Sequence, residues 1–304
     1  MSTEASPAPL LADARFHTSK VVSYVALHLL CGAAFLVPFS WDCLALCLGL
    51  YVARILGITA GFHRYFSHKS FQTSRAFQLL LALWANTAFM RGPLTWARAH
   101  RHHHRVSDAA EDFHSPAQLG LAFAHTGWFL TQDYDEANTL PVRDLERYPE
   151  LRFLDRHYWI PTAGLALLCY LGGGLPWLVW GGLISLILSW HGTFTINSLA
   201  HRWGRQRYAT GDESRNSFLL ALLTCGEGWH NNHHHQMNAA RQGHRPWEWD
   251  PTYYLIWLWS KLGLVWDVVP VDWERAARGD LTLGSKGEAK PAPHPGPSEE
   301  ALPL

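Results

Sequence analysis

CLALCLGLYVARILGITAGF at residues 43–62, running directly into HRYFSH at 63–68, decides the fold. A helix of about 20 apolar residues crosses the hydrocarbon core of a bilayer. This run is that long, and it ends in a polar, histidine-bearing sequence. An earlier apolar run covers 21–39, with Pro38, Ser40, Trp41 and Asp42 making a very short turn between the two. A second pair follows at 159–175 and 177–199, separated by Gly172–Gly174 and Pro176. The chain therefore reads as an all-α integral membrane protein with four spans in two helical hairpins. The segments 63–158 and 200–278 form a helical cap on one side.

The charges choose that side. Neither turn, Pro38–Asp42 nor Gly172–Trp177, contains Lys or Arg, whereas Arg64, Lys69, Arg75, Arg91, Arg98, Arg101, Arg105, Arg202, Arg205 and Arg207 all lie beyond the opposite ends of the spans. The positive-inside rule places both termini and the cap in the cytoplasm. A hairpin returns to the side it left, so the second and fourth spans deliver His63 and His201 to that face. Arg54 lies inside the second span, about 13 Å of helical rise before His63. Both a functional role and snorkelling to the interface are open to it. His28 stands in the first span.

Nine histidines and one asparagine gather in four short segments: His63 and His68 in HRYFSH, His100, His103 and His104 in HRHHH, Asn197 and His201 in NSLAH, and His230, His233 and His234 in HNNHH. A zinc site takes four ligands. So many imidazoles, the commonest side-chain metal ligand, point to two transition-metal ions held mainly by nitrogen. At about 100° per residue, His100, His103 and His104 fall near 0°, 300° and 40° on one helix face, with His102 near 200°. The same arithmetic groups His230, His233 and His234 and turns His235 away. Asn197 and His201, four apart, share a face. His63 and His68, five apart, diverge by about 140° on an ideal helix and can reach one metal only if the helix bends or ends between them, so a helix terminus is expected there. A lone histidine is ordinarily a solvated or core side chain, but clusters at metal-ligand spacing carry a stronger signal.

Composition sets further bounds. The chain has 304 residues with 25 Lys+Arg against 25 Asp+Glu, which gives no reason to expect a nucleic-acid partner. Many of the 16 tryptophans flank the apolar runs, as in an interfacial aromatic belt. Cys31, Cys43, Cys47, Cys169 and Cys225 sit in apolar surroundings and are odd in number, so they read as small buried hydrophobes rather than disulfides. The first apolar run follows a polar leader and lacks a cleavage site, so no secretory signal is evident. FQLLLALWANTAFM at 77–90 is too short to span and is expected to lie flat at the interface or to pack beneath the histidines. Residues 1–15 and 279–304 read as disordered ends, leaving one domain at 16–278.

The pattern HRYFSH, WARAHRHHHRVSD, NSLAH and GEGWHNNHH, with the connecting FAHTGWFL, TFTINSLAH and ALLTCGEGWHNNHH, resembles the membrane-bound fatty acyl desaturases. The resemblance is strongest to the Δ9 acyl-CoA (stearoyl-CoA) desaturases and their bacterial relatives, and it extends over residues 57–267. It implies two ferrous ions beneath a cytoplasmic cap, held by His63, His68, His100, His103, His104, His201, His230, His233 and His234, with Asn197 holding a water on one of them. Asp108, Glu111, Asp112, Asp212, Glu213 and Glu227 become candidates to orient those imidazoles, with Glu227 foremost, then Asp108 and Asp112.

The resemblance further implies O2 as co-substrate and a cis double bond, at Δ9, in a saturated chain carried as acyl-CoA or acyl lipid, with acyl-CoA the expected form. Electrons come from a separate donor of ferredoxin, rubredoxin or cytochrome type. A bacterial cytoplasmic membrane is the expected location. An apolar tunnel, lined by residues such as Phe194 and Ile196, is expected to position the chain. Arg91, Trp96 and Arg98 border the second histidine group and are candidates for an anionic head group, with His125 a further substrate-side candidate. Ala99 stands where relatives often carry Asp or His, Arg91 and Met90 where the eukaryotic enzymes tend to have amides, and Phe194 where Trp is frequent.

Two rivals share parts of this pattern. A membrane di-iron hydroxylase or alkane monooxygenase would keep the metal site and yield an alcohol. A histidine-rich metal transporter would place its ligands near the bilayer midplane, whereas these lie at span ends and in the cap.

Overall fold

The structure is a computed structural model that describes residues 14–283. Among the described residues, three helical segments are long and apolar enough to cross a membrane: Thr18–Phe35, Trp41–Ser67 and Trp159–His201. The first comprises α1 (Thr18–Leu30) and a 3-10 turn to Phe35, so it starts and ends a few residues before the expected 21–39. The second comprises α2 (Trp41–Leu56) and a π-helical extension, Gly57–Ser67. The third runs through 43 residues where two separate spans were expected. At about 1.5 Å per residue it is roughly twice as long as the hydrocarbon core is thick. Gly173 and Gly174 break it, the latter at φ 64°, ψ −152°, a conformation that suits glycine. The two arms then pack on each other. A β-carbon at Gly181 would lie 3.3 Å from Cys169 Sγ, and one at Gly182 3.8 Å from the Ala166 Cα. The two short turns meet at the same end, where Trp177 Nε1 donates to Asp42 Oδ2 at 2.6 Å.

Arg54 is neither a site residue nor snorkelling. It is buried and donates to the carbonyls of Thr87 at 3.0 Å and of Gly181 and Gly182 at 3.2 Å, and to Ser185 Oγ. Carbonyls loosened by the π-helical stretch Leu178–Ile184 thus receive a fixed donor, which ties α2 to the last arm and to the end of α3 (Arg75–Asn86).

α3 packs against the histidine-bearing π-helix, the second of the two expectations for residues 77–90. Gly57 and Gly61 permit the approach: β-carbons there would lie 3.1 Å from the Trp84 ring and 3.2 Å from Leu81 O. The chain then enters α4 (Pro93–Val106). Asp155 caps that helix, its carboxylate accepting from Leu94 N at 3.0 Å, Thr95 N at 2.8 Å and Thr95 Oγ1 at 2.9 Å. A side chain at Gly92 would collide with Asp155, since its β-carbon would fall 2.2 Å from the Asp155 Cα. The last arm ends in α5 (Ser185–Ser198) and a 3-10 turn to His201. Beyond it lie α6 (Phe218–Leu223), α7 (His230–His235) and α8 (Pro251–Lys261).

Of the expected disordered ends, residues 1–13 and 284–304 lie outside the described residues. Arg15 is placed, pairing with Asp133 at 2.8 Å, and Asp280 is buried with Arg245 at 2.6 Å.

Candidate metal centre

His63 and His68 come together without a helix end between them. The backbone widens into a π-helix, in which His68 N donates to His63 O at 3.1 Å, five residues back. That spacing turns an i, i+5 pair onto one face, where an α-helix would part them by about 140°. The expected break is thus replaced by a change of helical pitch, and the helix ends only at Ser67.

The nine histidines sort into two groups. Ring nitrogens of His63, His68, His100, His104 and His233 all lie within 4.8 Å of one another, as do those of His103, His201, His230 and His234. In the first group the Nε2 atoms approach closely: 3.0 Å for His63–His233, 2.8 Å for His68–His100, 3.1 Å for His100–His104 and 3.0 Å for His104–His233. In the second, His201 and His230 Nε2 are 3.0 Å apart. His102 lies outside both groups, stacked on Phe113 at 4.4 Å, and His235 stacks on Tyr208 at 4.0 Å. The helical-face arithmetic therefore sorts both helices correctly. It does not foresee that each helix divides its histidines between the groups, with His103 apart from His100 and His104, and His233 apart from His230 and His234.

Carboxylates grip the outer nitrogens. His103 Nδ1 meets Asp112 at 2.9 Å, His201 Nδ1 meets Asp108 at 2.7 Å, His234 Nδ1 meets Asp212 at 2.6 Å, and His63 Nδ1 contacts Glu227. A carboxylate on Nδ1 keeps the proton there, which leaves Nε2 with its lone pair facing inward. His233 Nε2 lies 3.0 Å from Nε2 of both His63 and His104, and His100 Nε2 lies 2.8 and 3.1 Å from those of His68 and His104, more contacts than the one proton or one lone pair of a ring nitrogen can serve, and His234 Nε2 is buried with no hydrogen-bond partner. A cation resolves both problems, so the donor set fits two metal ions. Three acids serve the four-histidine group and one serves the five-histidine group. Glu111 and Glu213 make no such contact: Glu111 offers its carbonyl to His102 at 2.9 Å, and the Glu213 carboxylate pairs with Arg215 at 3.1 Å.

The electrostatics agree. Burial, reinforced by neighbouring rings, holds His68, His100, His104, His230 and His233 well below the ordinary imidazole value, so they are neutral near physiological pH and free to act as donors. Burial pushes Asp108 up, but the hydrogen bond and charge attraction of His201, with hydrogen bonds from Glu213 N and Ser115, together outweigh this and bring it to about 2. Asp112, Asp212 and Glu227 are likewise pushed up by burial yet held low by His103, His234 and His63 respectively.

A further layer fixes the loops. Arg64 is fully buried and binds Glu227 at 3.1 Å, Asp250 at 2.8 Å and the Ala240 carbonyl at 2.6 Å, which locks the acid that touches His63. Asn231 and Asn232 of HNNHH point away from the centre. Asn231 accepts from Arg207 N and Tyr208 N at 2.7 Å, and Asn232 donates to Gln242 O at 2.8 Å. These bonds anchor a helix of only six residues. Arg64 had read as a topology charge, and nothing in its spacing marked it as a buried anchor. His114 also went unnoticed. It is buried, packs its ring at a tilt against His103 with centres 4.4 Å apart and lies 3.7 Å from Asp112, and its place two residues after that acid is the available clue.

A cavity of about 370 Å³ adjoins the centre. That volume is within the range of small-molecule sites. His100, His114, Thr193 and Asn197 line it, and aromatic walls come from Tyr24, Phe129, Trp190 and Phe194. Tyr24 stacks on Trp190 at 6.0 Å and Phe129 on Phe194 at 5.1 Å. Among the expected substrate contacts, Arg91, Trp96 and Phe194 line this cavity. Arg98 does not, being paired with Glu146 at 2.7 Å. His125 stands behind the wall, its ring 5.7 Å from that of Phe194 and its nitrogens bonded to Ser198 and His191 at 2.9 Å.

A profile of the fatty acid desaturase family matches residues 39–250. The chain is 38% identical over 256 residues to the palmitoyl-monogalactosyldiacylglycerol delta-7 desaturase of Arabidopsis thaliana, covering 82% of this chain and 67% of that protein. It is 37% identical over 255 residues to the icosanoyl-CoA 5-desaturase of Limnanthes douglasii, covering 81% and 70%. Delta-9 acyl-lipid desaturase 2 of Arabidopsis thaliana is 35% identical over 272 residues, covering 86% and 87%. These relatives are plant proteins and lend no support to a bacterial source. With identity of this order across most of its length, the chain belongs to the fatty acid desaturase family.

Proposed function

We propose that the protein inserts a cis double bond, at Δ9, into a saturated acyl chain held by a CoA or lipid carrier. The reaction consumes O2, two electrons and two protons and releases two waters. The observation that carries this reading is the convergence of nine buried imidazoles into groups of five and four beside an aromatic-walled cavity. In this reading His63, His68, His100, His104 and His233 would hold one iron, and His103, His201, His230 and His234 would hold the other, with Asn197 holding a water on one of them. The metal pair, once bound, supplies the dioxygen reduction that removal of unactivated hydrogens requires.

The protein's own contribution is positional. The carboxylates of Asp108, Asp112, Asp212 and Glu227 fix the tautomer of four ligand rings. Phe129, Trp190 and Phe194 hold an extended chain against the His100 and Asn197 side of the cavity, where a misplacement of about 1 Å can cost a hundredfold in rate. We place four crossings in the membrane, counting both arms of Trp159–His201, with the histidine side on the cytoplasmic face by the charge bias. A separate soluble or membrane-borne protein delivers the electrons.

Fatty-acid profiling of cells expressing the protein tests the reaction. A new cis monoene from saturated acyl chains is expected. A hydroxylated chain in its place would assign the protein to the hydroxylase rival.

A further inference from the structure

The mouth of the cavity carries a charge arrangement that the desaturation reading does not use. Lys20, in the first turn of α1, and Arg91, just before α4, both line the cavity, and Ser19 and Ser23 are exposed beside Lys20. Both cations close on one carboxylate. Lys20 Nζ contacts Asp135 Oδ2, and Arg91 Nη2 lies 3.0 Å from Asp135 Oδ1. Lys20 also donates to the carbonyls of Phe129 at 3.1 Å and Thr131 at 3.2 Å, which occupies all three donors of its ammonium. Three other arginines are held by carboxylates: Arg15 by Asp133 at 2.8 Å, Arg98 by Glu146 at 2.7 Å and Arg101 by Asp144 at 2.8 Å.

A CoA carrier brings a pyrophosphate and a further phosphate, which are gripped by uncommitted arginine and lysine donors. This mouth offers two cations that already share a carboxylate. The segment TQDYDEAN at 131–138 adds acids and no base. The rim also faces the bilayer: α1 has no buried residue and belongs to a candidate membrane span, with the exposed serines in its first two turns. A head group already in the membrane surface can reach the opening without leaving it.

We propose that Asp135 selects the acyl carrier. By holding Lys20 and Arg91 it fits the mouth to a membrane glycerolipid whose head bears no net charge, and it disfavours polyanionic CoA. The inference rests on the reading of this cavity as the acyl site and narrows the carrier within it.

The test is equilibrium binding to the full-length, iron-loaded protein in detergent, read by displacement of a fluorescent stearate. The competitors are stearoyl-CoA and a stearoyl galactosyldiacylglycerol. Wild type is expected to bind the galactolipid more tightly. Asp135→Asn should tighten stearoyl-CoA roughly tenfold at low salt by freeing two cation contacts, with the gain shrinking as salt screens them. Galactolipid binding should stay within about twofold. Asp133→Asn removes the same charge from the neighbouring Arg15 pair and should leave both probes nearly unchanged. If Asp135→Asn does not fold, Lys20→Met serves instead and should weaken stearoyl-CoA further while sparing the galactolipid.

Tighter stearoyl-CoA than galactolipid binding in wild type, or equal shifts in the two aspartate variants, overturns the proposal. Preferential galactolipid binding with no desaturated product leaves it standing and removes the reaction instead. Failure of both probes to displace the stearate removes both.

Discussion

Replacing Asp212 with asparagine should loosen one metal ion and spare the other. Asp212 Oδ2 accepts from His234 Nδ1 at 2.6 Å, while its Oδ1 accepts from Thr210 Oγ1 at 2.7 Å and from Ser214 N at 3.0 Å and Oγ at 2.5 Å. The side chain is therefore locked in place, and asparagine keeps its shape and an acceptor but removes the charge. His234 becomes a poorer donor through Nε2. Partners of this kind are worth about 10–100-fold in metal affinity, or roughly 1.4–2.8 kcal/mol. The loss should fall on the four-histidine ion, because Asp212 touches no ring of the five-histidine group. The assay is iron retained per protein across a chelator series. Wild type should keep both ions through most of the series, and Asp212→Asn should release one of them at roughly 10–100-fold less chelator. Glu213→Gln is the control, since its exposed carboxylate pairs with Arg215 at 3.1 Å. Unchanged retention in Asp212→Asn, or equal loss in Glu213→Gln, would refute the reasoning.

Other outcomes can be checked in parallel. His103→Ala and His233→Ala should abolish desaturation with the protein still inserted, whereas His102→Ala and His235→Ala, whose rings stack on Phe113 and Tyr208 outside both groups, should keep most activity in the same product assay. Gly228→Ala should destabilise by upwards of about 2 kcal/mol in a thermal melt, because its β-carbon would fall 2.0 Å from Ala221 N and 2.6 Å from Ser217 O, both backbone atoms. His244 is brought to about 3 by burial and then by Arg207, against about 6.5 in an unfolded chain. Its neutral ring contributes stability that is fully present above about pH 6.5 and is lost as pH falls toward 3. That amounts to about 2 kcal/mol at about pH 5. The fall in Tm from neutral pH to about pH 5 should therefore be smaller in His244→Phe, and an identical fall would contradict the assignment.

Much of the centre was legible because metal-binding helices obey simple periodicity. The i, i+3 and i, i+4 spacings in HRHHH and HNNHH predicted which rings face inward and which turn away. Legibility ended where pitch or partnership is set by distant contacts. The five-residue gap between His63 and His68 contradicted an α-helix, and periodicity alone could not show that a π-helix would answer it. Gly57 and Gly61 make room there for α3, but their role is visible only with α3 in place. Arg64 looked like a topology charge and Arg54 like a functional or snorkelling one because their partners, Asp250 and the Gly181–Gly182 carbonyls, are more than a hundred residues away in the chain. Arg98 read as a phosphate contact because sequence cannot show that Glu146 already holds it. The third apolar stretch read as two helices because Gly173, Gly174 and Pro176 are strong breakers, and the backbone does leave helical geometry at Gly173 and Gly174.

The division of ligands into five and four is the centre of the account, and Mössbauer spectroscopy of the protein loaded with 57Fe under reducing conditions addresses it directly. Two high-spin ferrous doublets of equal area are expected, because the two ions differ in ligand number and in the carboxylates behind their rings. A single doublet, or iron amounting to one ion per chain, would contradict it.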